Sequence, residues 1–120
     1  MINFTIRGAV PSKSNCYIII KTKDHGSLAK RKNLKDYEKM FFLQVPAFCR
    51  GLLLTGLLRA KIAIYYTSNR LDLDNSAKIV LDCLQASKVI KNDNQVVDLH
   101  MTKHIDKENP RAEIEIEEVV

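Results

Sequence analysis

The chain has 120 residues, 46% of them hydrophobic and 28% charged, with a net charge of +5. That length and balance predict one soluble globular domain spanning residues 1–120. They argue against a membrane-spanning protein, because apolar runs such as Leu52–Leu54 and Tyr17–Ile20 are far too short to cross a bilayer. No basic leader followed by an apolar stretch opens the chain, and Cys16, Cys49 and Cys83 are too few and too scattered for a disulfide framework or a zinc motif. A reducing cytoplasm is the expected compartment.

In chain order, Ile2, Phe4 and Ile6 alternate with polar residues and predict a half-buried strand, broken by Gly8 and Pro11. PSKSN at 11–15 is turn-like, and CYIII at 16–20 suits a short extended piece. Residues 22–33 predict an exposed loop. Residues 21–39 carry seven basic and three acidic side chains, a segment suited to a polyanion such as nucleic acid or simply to a solvated surface. Leu34, Tyr37, Phe41 and Val45 recur at helical spacing and predict a helix over 34–48, which Pro46 threatens near its end. Residues 57–66 read as a strand with Leu58, Ala60, Ile62, Ile64 and Tyr66 inward and Arg59 and Lys61 outward. A helix over 75–87 follows. Strands over 95–104 and 111–119 close the chain around an Asn109-Pro110 turn. The fold class expected is α/β of the α+β type: a two-layer mixed sheet of about four strands with two helices on one face.

Between the clearest strand and the clearest helix lies NRLDLDNSAK, residues 69–78. In an extended segment, residues i and i+2 share a side, so Asp72 and Asp74 would present two carboxylates to one point with Leu73 turned inward. Two anions that close repel unless a cation sits between them, and Mg²⁺ typically takes one or two carboxylates plus water and phosphate oxygens. Asn75 adds an amide beside them, and Lys78 lies one helical turn after Asp74. Such a group can hold a phosphodiester and activate water. The same residues also suit an ordinary helix start, where Asp and Asn are favoured, although that accounts for Asp74 better than for Asp72. An EF-hand starting at Asp72 would need Gly at 77 and Glu at 83, where Ala77 and Cys83 stand. His100 and His104, four apart on a strand, are separated by ~13 Å and cannot share a zinc.

DLDN at 72–75, Lys78 and the later QASKVIKNDNQVVD, followed by two strands, resemble the RusA family of Holliday-junction endonucleases over roughly residues 58–118. PSKSN weakly echoes the N-terminal PPSxN pattern of that family. The resemblance implies a Mg²⁺-dependent endonuclease, with Mn²⁺ as an alternative ion, acting as a homodimer that nicks branched DNA symmetrically at four-way junctions. It places the catalytic acids and metal ligands on Asp72, Asp74 and Asp93, the essential lysine on Lys78 and a supporting amide on Asn75. Where the family enzyme has arginine directly before the first acid, this chain has Leu71, with Arg70 one step earlier. Lys13, Lys21, Lys23, Lys30, Arg31, Lys32, Arg59, Lys61 and Arg70 are the expected contacts to DNA backbone. Two alternatives share the same residues: an inactive module that binds branched DNA, and a nuclease of flaps or other branched substrates.

Asp93 poses a geometric problem. A helix of about 13 residues, rising ~20 Å, separates it from Asp74. The helix shows two apolar stripes, Ala77/Val80/Leu81/Leu84 and Ile79/Cys83/Ala86, with Lys78, Asp82 and Gln85 as a polar seam. Two such helices crossing antiparallel on a twofold axis would bring Asp93 of one subunit to Asp72 and Asp74 of the other.

Overall fold

The computed structural model describes residues 1–11, 17–21, 26–30, 32–69 and 73–119, with side chains described outside 12–31. The main sheet holds β1 (Ile2–Arg7), β4 (Leu58–Tyr66), β5 (Val96–Ile105) and β6 (Arg111–Glu118) in the order β1-β6-β4-β5. β1 and β4 both pair antiparallel with β6, whereas β4 and β5 run parallel. A parallel pair needs a long crossover, and α2 (Leu73–Ala86) supplies it. α1 (Lys32–Gln44) is the second helix.

One face of the sheet is apolar because the strands alternate. Leu58, Ala60, Ile62, Ile64 and Tyr66 of β4, Ala112, Ile114 and Ile116 of β6, and Ile6 of β1 are all buried. Over them lie Leu34, Tyr37 and Phe41 of α1 and Ile79, Val80, Cys83 and Leu84 of α2. The fold is therefore the expected two-layer α+β arrangement, a four-strand mixed sheet with two helices against one face.

Three expectations are corrected. Part of the loop expected over 22–33 is strand: β3 (Gly26–Lys30) pairs antiparallel with β2 (Tyr17–Lys21), from Tyr17 opposite Lys30 to Lys21 opposite Gly26. GSLAK has little strand propensity of its own, and the pairing comes from the isoleucine-rich partner. The first helix ends at Gln44, before Pro46, because the residue preceding a proline is pushed out of helical geometry. The two stripes on α2 are one. Ser76, Ile79, Val80, Cys83 and Leu84 form a single buried face, Ala77 and Leu81 are partly buried on its flank, and Ala86 is exposed. A polar residue, Ser76, belongs to that face because its hydroxyl meets the buried Tyr66 hydroxyl at 2.6 Å.

α2 closes with a left-handed residue, Lys88 (φ 58°). The Val89 amide donates to Leu84 O at 3.1 Å and the Lys88 amide to Gln85 O at 3.0 Å, while Leu84 and Val89 are both buried. This pattern is a Schellman cap, and it turns the chain sharply at the C-terminal end of α2.

Candidate active site

β4 delivers the chain to the acidic segment. Its last residue, Tyr66, is buried, and the Tyr66–Ser76 hydrogen bond pins the first turn of α2 to the strand end. α2 begins at Leu73, two residues earlier than expected, because Leu73 packs on the core. The extended i, i+2 geometry expected for the acidic pair is therefore corrected: Asp74 projects from helical backbone, where successive side chains turn ~100°. Arg70, Leu71 and Asp72 lie outside the described residues.

Asp74 is exposed, and its Oδ1 accepts the Asn75 amide hydrogen at 2.9 Å. Lys78, one turn on, is also exposed. No ion pair joins the two among the described residues. Asn75 is half-buried between them in sequence.

Sequence reasoning passed over Lys103. Its Nζ donates to Asn69 O at 3.1 Å, in the segment leading to the acids, and sits 5.6 Å from the centre of the Tyr66 ring. The signal was strand parity. Lys103 pairs in register with Ile64 and Met101 with Ile62, so β5 carries a lysine on its helix-side face.

Asp93 opens a short 3-10 turn, Asp93–Gln95. The side chains of NDNQ, residues 92–95, divide into support and display. Asn92 caps the turn through its side chain, which accepts the Asn94 amide hydrogen at 3.0 Å. Gln95 Oε1 accepts the amides of Lys91 and Asn92 at 2.9 and 2.8 Å, and its Nε2 donates to Leu54 O and Gly56 O. Asp93 contributes its backbone, its amide donating to Gln85 Oε1 at 3.1 Å and its carbonyl accepting the Val96 amide hydrogen, while its exposed carboxylate has no hydrogen-bond or ion-pair partner among the described residues. A carboxylate serving merely to build the turn would be engaged in it.

Gln85 is near the C-terminal end of α2 and Asp74 is in its first turn. Eleven residues of helix separate them by ~16 Å. Within one chain the turn after α2 thus keeps Asp93 at the far end, as expected. No three acidic, histidine or cysteine side chains converge among the described residues. The carboxylate donors are the right chemistry for a hard divalent cation, but a single chain does not gather Asp93 with Asp74.

Comparison with protein families supplies the deciding observation: the family described as endodeoxyribonuclease RusA matches residues 10–117. The chain belongs to the RusA endodeoxyribonuclease family. RusA enzymes are metal-dependent endonucleases that resolve Holliday junctions, and this chain is such a nuclease. The match reaches well beyond residues 58–118, to include the segment around PSKSN and all five expected catalytic positions. Comparison with curated proteins finds no match.

The basic residues expected to meet the RusA substrate divide sharply. Arg59 is corrected. On the open face of the sheet its Nε meets Asp98 at 2.9 Å and its Nη1 meets Glu117 at 2.8 Å, pairs that raise its pKa. Strand register sets this arrangement, since Arg59 lies opposite Asp98 on β5 and Glu117 on β6. Lys61 is exposed but lies opposite Glu115. Arg111 on the same face stacks on Tyr65 at 3.7 Å and pairs with Asp106 and Glu113, each at 3.0 Å; its guanidinium lowers the Asp106 pKa. His104 completes the stack, 4.5 Å from the Tyr65 ring, and His100 is largely exposed, so the two histidines share no metal. Glu113, Glu115 and Glu117 line β6. An open face this rich in committed arginines and carboxylates is a poor phosphate track. Lys32 at the start of α1 is exposed. Lys21 and Lys30 lie at one end of the β2–β3 ribbon and the other strand's end, with side chains outside the described set, and Lys13, Lys23 and Arg31 lie outside the described residues.

No described helix is long and apolar enough to cross a membrane. Cys49 and Cys83 are buried and not disulfide-bonded to each other.

Proposed function

We propose that this nuclease works as a homodimer with two shared cleavage sites, each built from Asp72, Asp74, Asn75 and Lys78 of one subunit and Asp93 of the other. The observation that carries the proposal is the position of Asp74 and Asp93 at opposite ends of α2, with both carboxylates exposed. A twofold axis exchanges such ends. β5 offers a path. It is an edge strand of ten residues that begins beside Asp93 and ends level with Tyr66, and it leaves Val97, Leu99 and Ile105 substantially exposed. Antiparallel packing of two β5 edges sets the Asp93 end of one subunit against the acidic end of its mate.

Mg²⁺ is the ion this donor set fits best, with Mn²⁺ as an alternative, and when bound it supplies Lewis acidity and a more acidic water. Asp72, Asp74 and Asp93 would hold it. Lys78 offsets phosphate charge, and the Asn75 amide orients the bound group. Lys13, Lys21, Lys23, Lys30, Arg31, Lys32 and Arg70 follow the DNA backbone. Two sites related by a twofold axis match the two equivalent strands of a four-way junction, which gives paired symmetric nicks.

A synthetic four-way junction tests the proposal. The protein should nick it with Mg²⁺ and stop when EDTA is added, and Asp74→Asn should abolish nicking while retaining junction binding. Wild-type cutting by Asp74→Asn would overturn the site.

A further inference from the structure

The ammonium of Lys103 occupies the same end of the sheet as the acidic segment, and no ion pair holds it among the described residues. It reaches Asn69 O at 3.1 Å, and among the described residues no carboxylate lies within ion-pair distance. A lysine ammonium has three donors, so two remain after the Asn69 bond. The Tyr66 ring, 5.6 Å away, stabilises the charge from one side and fixes its position. Tyr66 in turn bonds Ser76, two residues beyond Asp74 in the first turn of α2. The Lys103 stem is partly covered on the helix-side face of the strand, while its ammonium bonds Asn69 O at an exposed position that a ligand can reach.

We propose that Lys103 is a catalytic residue that contacts a non-bridging phosphate oxygen of the DNA at the cleavage site. It supplies a second cation besides the exposed Lys78, held by the Asn69 carbonyl and the Tyr66 ring. The inference rests on the placement of the cleavage site at Asp74. The Asn69 carbonyl bond aims the ammonium at the segment that carries the acids, and the phosphate takes the donors left over.

Single-turnover junction cleavage and salt-dependent junction binding by Lys103→Met and Lys103→Arg decide the matter. Removing one preorganised donor at a developing anion lowers rates by about 100-fold, so Lys103→Met should slow cleavage by that order. The slope of log affinity against log salt should become shallower by about 0.9, the loss of one phosphate contact. Lys103→Arg, which keeps the charge, should recover most of the rate and the slope. Cleavage by Lys103→Met within about threefold of the parent would overturn the inference. So would a loss that arginine does not repair with an unchanged salt slope, since that pattern means Lys103 only props the Asn69 turn. Asp74→Asn, run beside them, separates the two ideas: normal cutting by it refutes the site placement, and the Lys103 inference falls with it, whereas an inactive Asp74→Asn with a normal Lys103→Met refutes Lys103 alone.

Discussion

Arg59 and Lys103 stand on neighbouring strands and carry the same charge, yet only Arg59 is paired with carboxylates among the described residues. Arg59 donates to two carboxylates at 2.8 and 2.9 Å, so a phosphate would have to compete with both. Arg59→Gln should therefore leave the salt slope of junction binding unchanged. A slope shallower by about 0.9 would return Arg59 to the DNA surface. At this scale residue type and spacing singled out Asp74, Asn75 and Lys78, whereas Asp93 came only from the resemblance to the RusA family. The sequence hid the fate of Arg59, because outward parity shows which face a side chain takes but not which acids on β5 and β6 sit opposite. Lys103 was legible in principle: counting alternately from Leu99 and Met101 places a lysine on the apolar register of β5.

The elements themselves were largely legible, since β1, β4, β5, β6 and α2 each show a clean period of two or of 3.6. Boundaries failed where tertiary contacts outweighed local preference. Leu73 starts α2 early by packing on the core, and Ser76 joins the buried face through Tyr66. β3 forms because β2 lies beside it. The end of α2 matters most for function, since it determines where Asp93 goes. Its cap places Lys88 in left-handed geometry at φ 58°, a conformation that a side chain disfavours and glycine does not. Lys88→Gly should raise unfolding stability by about 0.5–1 kcal/mol, after allowing for glycine's greater freedom in the unfolded chain. Urea denaturation would check this, and a destabilised variant would show that the Lys88 side chain contributes more than the strain removes.

For the whole molecule, sheet order and register put β5 at the edge with Asp93 at its start and Lys103 near its end. Met40, Leu43, Phe48 and Leu57 form a second set of exposed apolar residues on α1 and the segment after it. Gln95 ties that segment, through Leu54 O and Gly56 O, to the Asp93 end only, so it does not lead from one half of the site to the other. The β5 edge does. The antiparallel meeting of two copies was suggested by two apolar stripes on α2. The helix has one buried face, and the proposed dimer therefore uses the edge strand beside it instead. What survives from the sequence is the separation of Asp74 and Asp93, because the rise of a helix is set by its length and not by what packs around it.

Mixed dimers of Asp72→Asn and Asp93→Asn test the shared site most directly. Each variant alone should be unable to nick a four-way junction. Mixed and re-equilibrated, they should form heterodimers in which one site carries both substitutions and the other carries neither, and nicking of one strand should return. If cleavage stays absent in mixtures shown by sedimentation to contain heterodimers, each subunit assembles its own acids and the shared site is wrong.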